Sequence, residues 1–259
     1  MLIVIIIEFN FLNKNKIILS YFKHHCIKLF DSNTYQYSSI VELQGNHPRG
    51  LCIQPFTHYI LICDTCNDCI QVLSNDDYSL LYQIGSTRSE DKGQFSNHRG
   101  ICCDEKGHIL VADTWNDRIQ EFNESGKFLH LFGSYGQSLN QFSNPMDICF
   151  DKKYKQLLVA DGDNKRVSLW SHDSSSKPMC ISHIQFKDYC RSVCVDPLRN
   201  HQIVIGTWYN ILVYDSRNHK QPIQTLGTSE FNRVSGICVN EQDGTLLVCD
   251  CNNNRIQLF

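Results

Sequence analysis

Short apolar runs separated by polar turns recur along the whole chain. The clearest unit contains "GICC" from Gly100, "HILVA" from His108, "RIQEF" from Arg118 and "FLHLF" from Phe128. The runs are rich in Ile, Val and Leu and are bounded by Gly, Asn and Asp, which is typical of strands joined by tight turns. No segment carries apolar residues at helical spacing over a useful length. The pattern predicts an all-β protein.

One thirteen-residue stretch is repeated around the chain. "LVADTWNDRIQEF" begins at Leu110 and "LVCDCNNNRIQLF" at Leu247, with clear copies at Leu61 and Leu158 and weaker ones at Ile18 and Val204. The turn positions that mark the copies are Tyr21, Asp64, Asp113, Asp161, Thr207 and Asp250, which are 43, 49, 48, 46 and 43 residues apart. The sequence therefore predicts one domain of six units, at residues 1–45, 46–92, 93–139, 140–187, 188–229 and 230–259.

Each unit predicts four strands, and this number and spacing are typical of a β-propeller. The second strands are apolar throughout, as expected where neighbouring blades cover both faces of a strand. A β-sandwich would alternate more regularly and would lack the fixed period. We expect a six-bladed propeller of four-stranded antiparallel blades, with a last blade that lacks its outer strand because the chain ends at "RIQLF".

The units resemble NHL repeats. The stretches "NHPRGLCI", "ILICDTCNDCIQVL" and "HRGICCDEKGHILVADTWNDRIQEF" are similar to the family pattern of Pro-x-Gly-Ile, then Val-Ala-Asp, then Asn-x-Arg-Ile. The resemblance covers residues 46–259 and is faint before residue 41. The resemblance implies a platform for protein interactions, and some such propellers bind single-stranded RNA on one face.

The repeated Asp, Asn and Arg side chains are predicted to be structural. Asp113, Asn116 and Arg118 recur in the fourth and sixth units. Asp and Asn stabilise tight turns through backbone N–H groups, and the Arg that begins the third strand can pair with the Asp carboxylate. A catalytic acid–base pair would not be copied around a ring, so no catalytic residue is assigned.

The composition of the chain bears on its expected partners and on its expected cellular compartment. The chain is 42% apolar and 20% charged with a net charge of −3, which gives no overall bias toward nucleic acid or anionic membranes. The fourteen cysteines mostly occupy places where other units have small apolar residues. We therefore expect buried, reduced thiols and a cytoplasmic protein without membrane attachment.

Metal, cofactor and enzyme alternatives have weaker support. Cys63, Cys66 and Cys69 form C-x2-C-x2-C, a zinc-like spacing. However, Cys63 points from a strand, Cys66 lies in the turn, Cys69 replaces the Arg of other units, and only Cys26 is plausible as a fourth ligand. No metal or cofactor is predicted. A propeller enzyme of the peptide-amidating lyase type is a minor alternative, since the histidines do not share one repeat position facing a channel.

A candidate binding face lies where the chain enters each first strand. Strands alternate in direction, so these entry residues share a face with the turns after the second strands. The candidate binding residues on this face are Arg49, Arg99, Arg191, Arg233, His47, His98, Trp115, Trp208 and Tyr209. Arginines beside aromatic rings suit carboxylates, phosphates or stacked bases. A purely structural role, in which each Arg binds loop carbonyls, is equally compatible with the pattern. A protein or peptide is the first expected partner, and single-stranded RNA is the second.

The N-terminal "LIVIII" raises the question of how the ring closes. It is too short to span a bilayer and lacks the features of a signal peptide. If Ile3–Ile7 formed the outer strand of the sixth blade, too few residues would remain to reach the inner strand of the first. We therefore predict that Ile3–Ile7 begins the first blade and pairs with Ile17–Ser20. Arg255–Phe259 would then be an exposed edge, prone to pairing with another chain, as expected for a truncated form of a longer propeller.

Overall fold

The computed structural model describes residues 4–6, 16–21, 24–43, 47–173, 177–227 and 230–259. These residues form 23 β-strands in six antiparallel sheets. Blade 1 contains β1 (Val4–Ile6), β2 (Lys16–Tyr21), β3 (Cys26–Asp31) and β4 (Tyr37–Glu42). Blade 2 contains β5 (Pro48–Ile53), β6 (Ile60–Asp64), β7 (Cys69–Leu73) and β8 (Leu80–Ile84). Blade 3 contains β9 (Ile101–Cys103), β10 (Ile109–Asp113), β11 (Arg118–Phe122) and β12 (Phe128–Phe132).

The remaining three sheets complete the propeller. Blade 4 contains β13 (Pro145–Asp151), β14 (Gln156–Asp161), β15 (Arg166–Ser171) and β16 (Met179–Gln185). Blade 5 contains β17 (Cys190–Asp196), β18 (Gln202–Thr207), β19 (Ile211–Tyr214) and β20 (Gln224–Leu226). Blade 6 contains β21 (Val234–Val239), β22 (Leu246–Asp250) and β23 (Arg255–Leu258). The predicted six blades, with three strands in the last, are confirmed.

The first strand of every blade lies at the centre. β5 is next to β9, β9 to β13, β13 to β17 and β17 to β21, and β1 lies between β21 and β5. The hydrophobic core is divided into layers between neighbouring blades. In one such layer Ile70 and Val72 of blade 2 pack with Ile109 and Val111 of blade 3, all with no exposed surface. Both faces of the middle strands are covered, which explains their continuous apolar sequence.

The ring closes as chain-length geometry predicts. Val4 pairs with Tyr21, Ile5 with Ser20 and Ile6 with Leu19, which places β1 as the inner strand of blade 1. Ile3 and Ile7, which the prediction included, lie outside the described residues. In the described part of the chain β23 pairs only with β22, so its other edge has no partner strand.

The repeated Asp residues organise the turns, as predicted. Asp113 Oδ2 accepts hydrogen bonds from Asn116 Nδ2 at 2.9 Å and Arg118 Nε at 2.8 Å. Its Oδ1 accepts the backbone N–H of Ser96 at 2.8 Å, which ties the entry loop to the turn. Asp161 and Asp250 repeat the arrangement. These polar groups therefore stabilise the blades.

Candidate site at the channel mouth

A β-bulge stands at the head of the first strands and turns one residue toward the channel mouth. In blade 4 Pro145 pairs with Asp161 and Asp147 with Ala160, so Met146 is an extra residue between them. The same register shift occurs in blades 2, 5 and 6. Bulges re-aim side chains and are common beside functional sites. The residue at the bulge is Arg49 in blade 2, Met146 in blade 4, Arg191 in blade 5 and Ser235 in blade 6, and Arg99 holds the corresponding sequence position in blade 3, where β9 begins two residues later.

Arg233 reaches the same mouth from a different position. It lies two residues before the bulge residue Ser235 and has a positive φ of 68°. His47 holds the corresponding place in blade 2, with a φ of 63°. The backbone N–H of Arg233 donates to the carbonyl of Trp208 at 2.7 Å, which fixes the entry loop of blade 6 on the turn of blade 5.

The four predicted arginines lie close enough to repel one another. Burial and the charges of Arg99, Arg191 and Arg233 lower the pKa of Arg49 to about 9. Burial, Arg233 and Arg99 lower the pKa of Arg191 to about 10. Both groups remain protonated at neutral pH. The structure therefore concentrates positive charge in a confined space, where an anion would be strongly attracted.

The guanidinium groups of Arg99 and Arg191 are incompletely satisfied. Arg191 is only 7% exposed. Arg99 Nη1 lies 3.2 Å from Met146 Sδ, and the Asn97 amide oxygen, turned toward them, accepts from Arg99 Nη2 at 3.1 Å and Trp115 Nε1 at 2.8 Å. Among the described residues the Nε atoms of Arg99 and Arg191 are buried without a hydrogen-bond partner. Both side chains thus carry a buried donor that no described residue satisfies.

Asp147, a residue that the sequence prediction missed, follows Met146 in β13 and lines the central channel. Its Oδ2 accepts the backbone N–H of Val193 at 3.0 Å and its Oδ1 accepts that of Ile148 at 2.9 Å. Burial raises the pKa of Asp147 to about 7. The other blades place Gly50, Gly100, Ser192 and Gly236 here. The sequence does carry a signal for this residue, because an acidic side chain stands at a repeat position where other blades have glycine or serine.

The two predicted histidines differ in exposure. His98 has no exposed surface, its Nε2 lies 2.9 Å from the Cys69 carbonyl oxygen, and burial lowers its pKa to about 3. It stacks on Phe95 inside the blade, where a ligand at the mouth could not contact it. His47 is half-buried, with its ring 5.0 Å from that of His25. It stays a candidate at the rim.

Aromatic side chains surround the arginines on the same face. Trp115 is 56% exposed, with the Arg88 guanidinium 5.3 Å from its ring centroid. Tyr209 is 50% exposed and lies beside Trp208, with ring centroids 6.2 Å apart. Tyr189, which the sequence prediction did not include, contacts Trp208 edge-to-face at 6.3 Å. These rings offer flat apolar surfaces next to positive charge.

Cysteines form the wall of the channel below the mouth. A cavity of about 80 Å³ is lined by Cys52, Cys102, Cys149, Cys194 and Cys238, one from each of blades 2 to 6. All fourteen cysteines of the chain are present as free thiols, and only Cys66 is exposed while Cys149 is half-buried. Their reduced state in the cell stays a prediction.

The C-x2-C-x2-C stretch does not assemble a ligand set. Cys63 and Cys69 are buried within the blade and Cys66 faces solvent. Within the described ranges, the only three His, Cys, Asp or Glu side chains with ligand atoms close enough to share a metal ion are Asp104, His108 and Glu121. That group lies in blade 3, away from the mouth.

No helix in the described part of the chain is long and apolar enough to cross a membrane.

Comparison with known proteins identifies the repeat. A family model described as "NHL repeat" matches residues 231–259. Protein wech of Drosophila melanogaster is 38% identical over 61 residues, which cover 24% of this chain and 7% of that protein. Protein brain tumor of the same organism is 31% identical over 70 residues, covering 27% of this chain and 7% of that protein. The matched region thus spans a small fraction of the length of these relatives.

Solved structures show the same fold at low sequence identity. The nidogen/laminin complex contains a chain that aligns with a TM-score of 0.73 and 15% identity, covering 91% of this chain and 84% of that chain. Selenomethionine-substituted virginiamycin B lyase from Staphylococcus aureus aligns with a TM-score of 0.66 and 12% identity, covering 96% and 82%. These likenesses concern the fold alone.

The fold and the repeated turns define a six-bladed β-propeller. The resemblance to NHL-repeat propellers that the sequence predicts is confirmed: the chain carries an NHL repeat at residues 231–259, and its relatives wech and brain tumor share sequence with it.

Proposed function

We propose that this propeller is a non-catalytic binding module whose channel mouth recognises an acidic segment of a protein or peptide partner. The supporting observation is the concentration of four arginines at the mouth. Arg49, Arg99, Arg191 and Arg233 act on one another electrostatically, and Arg99 and Arg191 keep buried Nε donors without partners in the described structure. A carboxylate can accept two parallel hydrogen bonds from a guanidinium, which gives both energy and orientation.

A partly buried mouth favours a short acidic segment over a flat protein surface. The guanidinium groups, buried in Arg191 and half-buried in the other three, lie at the head of a central channel, so a side chain or chain terminus must enter to reach them. Trp115 and Tyr209 stand exposed on the same face and would pack against apolar residues that flank the acidic group. Aromatic and Arg residues are the types that most often dominate binding energy in interfaces.

Single-stranded RNA is the second candidate, supported by the same aromatic rings. Bases stack on exposed aromatic side chains while phosphates bind arginines. Trp115, Trp208 and Tyr209 are spread over two turns and surround the positive mouth. A cytoplasmic location belongs to both proposals, because both kinds of partner are available there and the buried thiols suit a reducing compartment.

A charge-reversal pair tests the proposed face. Arg99→Glu with Arg191→Glu should abolish capture of partners from a native lysate. A second variant, Arg99→Gln with Arg191→Gln, covers the case in which the buried Glu side chains prevent folding. The matched control is Lys127→Glu with Arg217→Glu, two exposed residues in the turns of the opposite face that change the net charge equally. Unchanged capture by the folded Gln variant would overturn the proposal.

Nuclease treatment separates the two classes of partner. If a protein or peptide is bound, capture survives treatment with RNase and is competed by an acidic peptide. If RNA is bound, RNase releases the partners, and affinity for a single-stranded oligonucleotide falls steeply with salt because counterions are released on binding. An enzymatic role of the lyase type would instead require a catalytic set at the mouth, where Asp147 and Asp163 are acidic groups among the described residues.

A further inference from the structure

A glutamate occupies a core position in blade 3. Glu121 lies in β11, is 1% exposed and pairs with Leu110 of β10. The same register position of the other five blades holds an aliphatic residue, namely Leu29, Val72, Leu169, Val213 and Leu258. A buried carboxylate is costly unless a partner compensates its charge. The substitution of an aliphatic residue by Glu therefore needs a local explanation.

Three histidines converge on this carboxylate. His108 Nδ1 lies 3.1 Å from Glu121 Oε1, and His172 Nε2 and His130 Nε2 lie 3.0 Å and 3.1 Å from Oε2. Burial opposes ionisation, but the hydrogen bonds and charges of His130 and His172 outweigh it and lower the pKa of Glu121 to about 2. Oε2 of Glu121 is thus hydrogen-bonded to His172 Nε2, with His130 Nε2 within ion-pair distance.

A second buried carboxylate completes the cluster. Asp104 is 2% exposed, and its Oδ1 accepts the backbone N–H groups of Lys106 and His108, each at 2.8 Å. Its Oδ2 faces His108 Nδ1 at 3.3 Å. The ligand atoms of Asp104, His108 and Glu121 all lie within 4.8 Å of one another. Two oxygens and one imidazole nitrogen thus point at a common space.

We propose that Asp104, His108 and Glu121 bind a divalent transition-metal ion, with Zn²⁺ the representative ion. Zinc bonds to His nitrogen and carboxylate oxygen measure about 2.0–2.2 Å, so ligand atoms of a tetrahedral site stand roughly 3.3 Å apart. The His108 contacts of 3.1 and 3.3 Å match that separation. The two carboxylates balance the charge of the ion.

The ligand types and the neighbouring His172 are consistent with a zinc site. An imidazole combined with carboxylates favours zinc and its neighbours over calcium or magnesium, which prefer oxygen ligands alone. His172 has a 3% exposed side chain and acts as a positioning residue, because its hold on Oε2 leaves Oε1 of Glu121 directed at His108. The side chain of His108 is 19% exposed, which leaves a route for the ion and for a water ligand.

The alternative occupant of the space is a proton on His108, shared between the two carboxylates. Metal binding requires the neutral imidazole and displaces that proton, so apparent affinity must fall at low pH. A proton-only network would stabilise the blade without any response to added metal. The two cases give opposite results in a titration.

The test is a metal titration of the chelator-treated protein with Zn²⁺ and with Co²⁺. We expect one ion per chain by calorimetry, a rise in thermal midpoint with Zn²⁺, and visible Co²⁺ bands without thiolate charge-transfer absorption. Glu121→Leu restores the residue type of the other blades, so it should fold but lose the high-affinity ion. His172→Gln should weaken binding by about 10–100-fold, as loss of an outer-shell partner does.

Two controls make the outcome decisive. His201 Nδ1 lies 3.3 Å from Asp151 Oδ1 in a similar pair without a second carboxylate, so His201→Gln should leave the titration unchanged. Cys66→Ser removes the exposed thiol and should also have no effect. The proposal is overturned if Zn²⁺ and Co²⁺ do not bind the wild type, or if Glu121→Leu binds them equally well.

Discussion

Arg118 Nε lies 2.8 Å from Asp113 Oδ2 inside blade 3, and the side chains of both residues are buried. The other guanidinium nitrogens of Arg118 donate to the carbonyl oxygens of Glu90, Asp91 and Gln94 in the loop that enters the blade. One side chain therefore joins the turn after β10 to the preceding connection. This linkage explains why the Asp and Arg positions recur together.

Removal of this arginine should destabilise the protein strongly. Arg118→Ala leaves Asp113, which has no exposed surface, with a buried negative charge, and breaking such a pair costs about 3–5 kcal/mol. Arg255→Ala breaks the same pair in blade 6, where Asp250 is also buried but the Arg side chain is 46% exposed and water can reach the pair, so this variant should lose less stability. Urea unfolding of the two variants measures the difference. If both variants lost the same free energy of unfolding, the burial of the Arg side chain would not determine the strength of the pair.

Asp147 should make stability depend on pH. Its pKa is raised from 3.8 to about 7, so the native state binds more protons than the unfolded state between these values. Stability then falls as pH rises from about 4 to about 7 and levels off above, by at most about 4 kcal/mol for this group. Asp147→Ser, which copies Ser192 of blade 5, should flatten the profile. Urea midpoints at pH 5, 6, 7 and 8 test this, and a profile parallel to wild type would refute it.

Gly133 should tolerate no side chain. It has a φ of 90°, and an added Cβ would lie 2.4 Å from the Phe142 ring, which is fully buried. Gly133→Ala should cost the positive-φ penalty of about 1–2 kcal/mol plus overpacking of about 1–3 kcal/mol. Gly107 has a φ of 85° but its nearest atom would be 3.7 Å away, so Gly107→Ala isolates the backbone penalty. Chemical unfolding of both variants should rank Gly133→Ala as the more destabilised.

The open edge of blade 6 should promote weak self-association. β23 lacks a partner strand on one side in the described structure, and Leu258 and Phe259 are 46% and 44% exposed. A charge on an edge strand discourages strand pairing between chains. Leu258→Lys should therefore reduce any dimer seen by sedimentation at high concentration. Leu198→Lys, at an exposed residue in a turn of blade 5, is the control and should change nothing.

Features that depend on local repetition could be predicted from the sequence. The turn signals and the 43–49 residue period appear in every well-preserved unit, so blade number and strand order follow from them. Ring closure through β1 followed from chain length, because too few residues separate the N-terminal run from the next strand. Both inferences depend on near neighbours along the chain, which a single sequence records.

Features that depend on contacts between distant residues could not be predicted. Glu121 and His172 are 51 residues apart and meet only because blades 3 and 4 pack together. The sequence predicts His98 on the binding face, yet its side chain has no exposed surface and holds the position that Pro48 and Pro145 hold in blades 2 and 4. Departures from a repeat, such as Asp147 and Glu121, gave the best available signal for unusual chemistry.

The bulge at the head of the first strands of blades 2, 4, 5 and 6 has an evolutionary consequence. The extra residue of a bulge is left unpaired in the ladder, so the bulge itself can be kept while different side chains stand there. Arg49, Met146 and Ser235 already illustrate that freedom at equivalent places. The side chains of the proposed binding face can therefore be altered one blade at a time, while the scaffold that presents them is inherited unchanged.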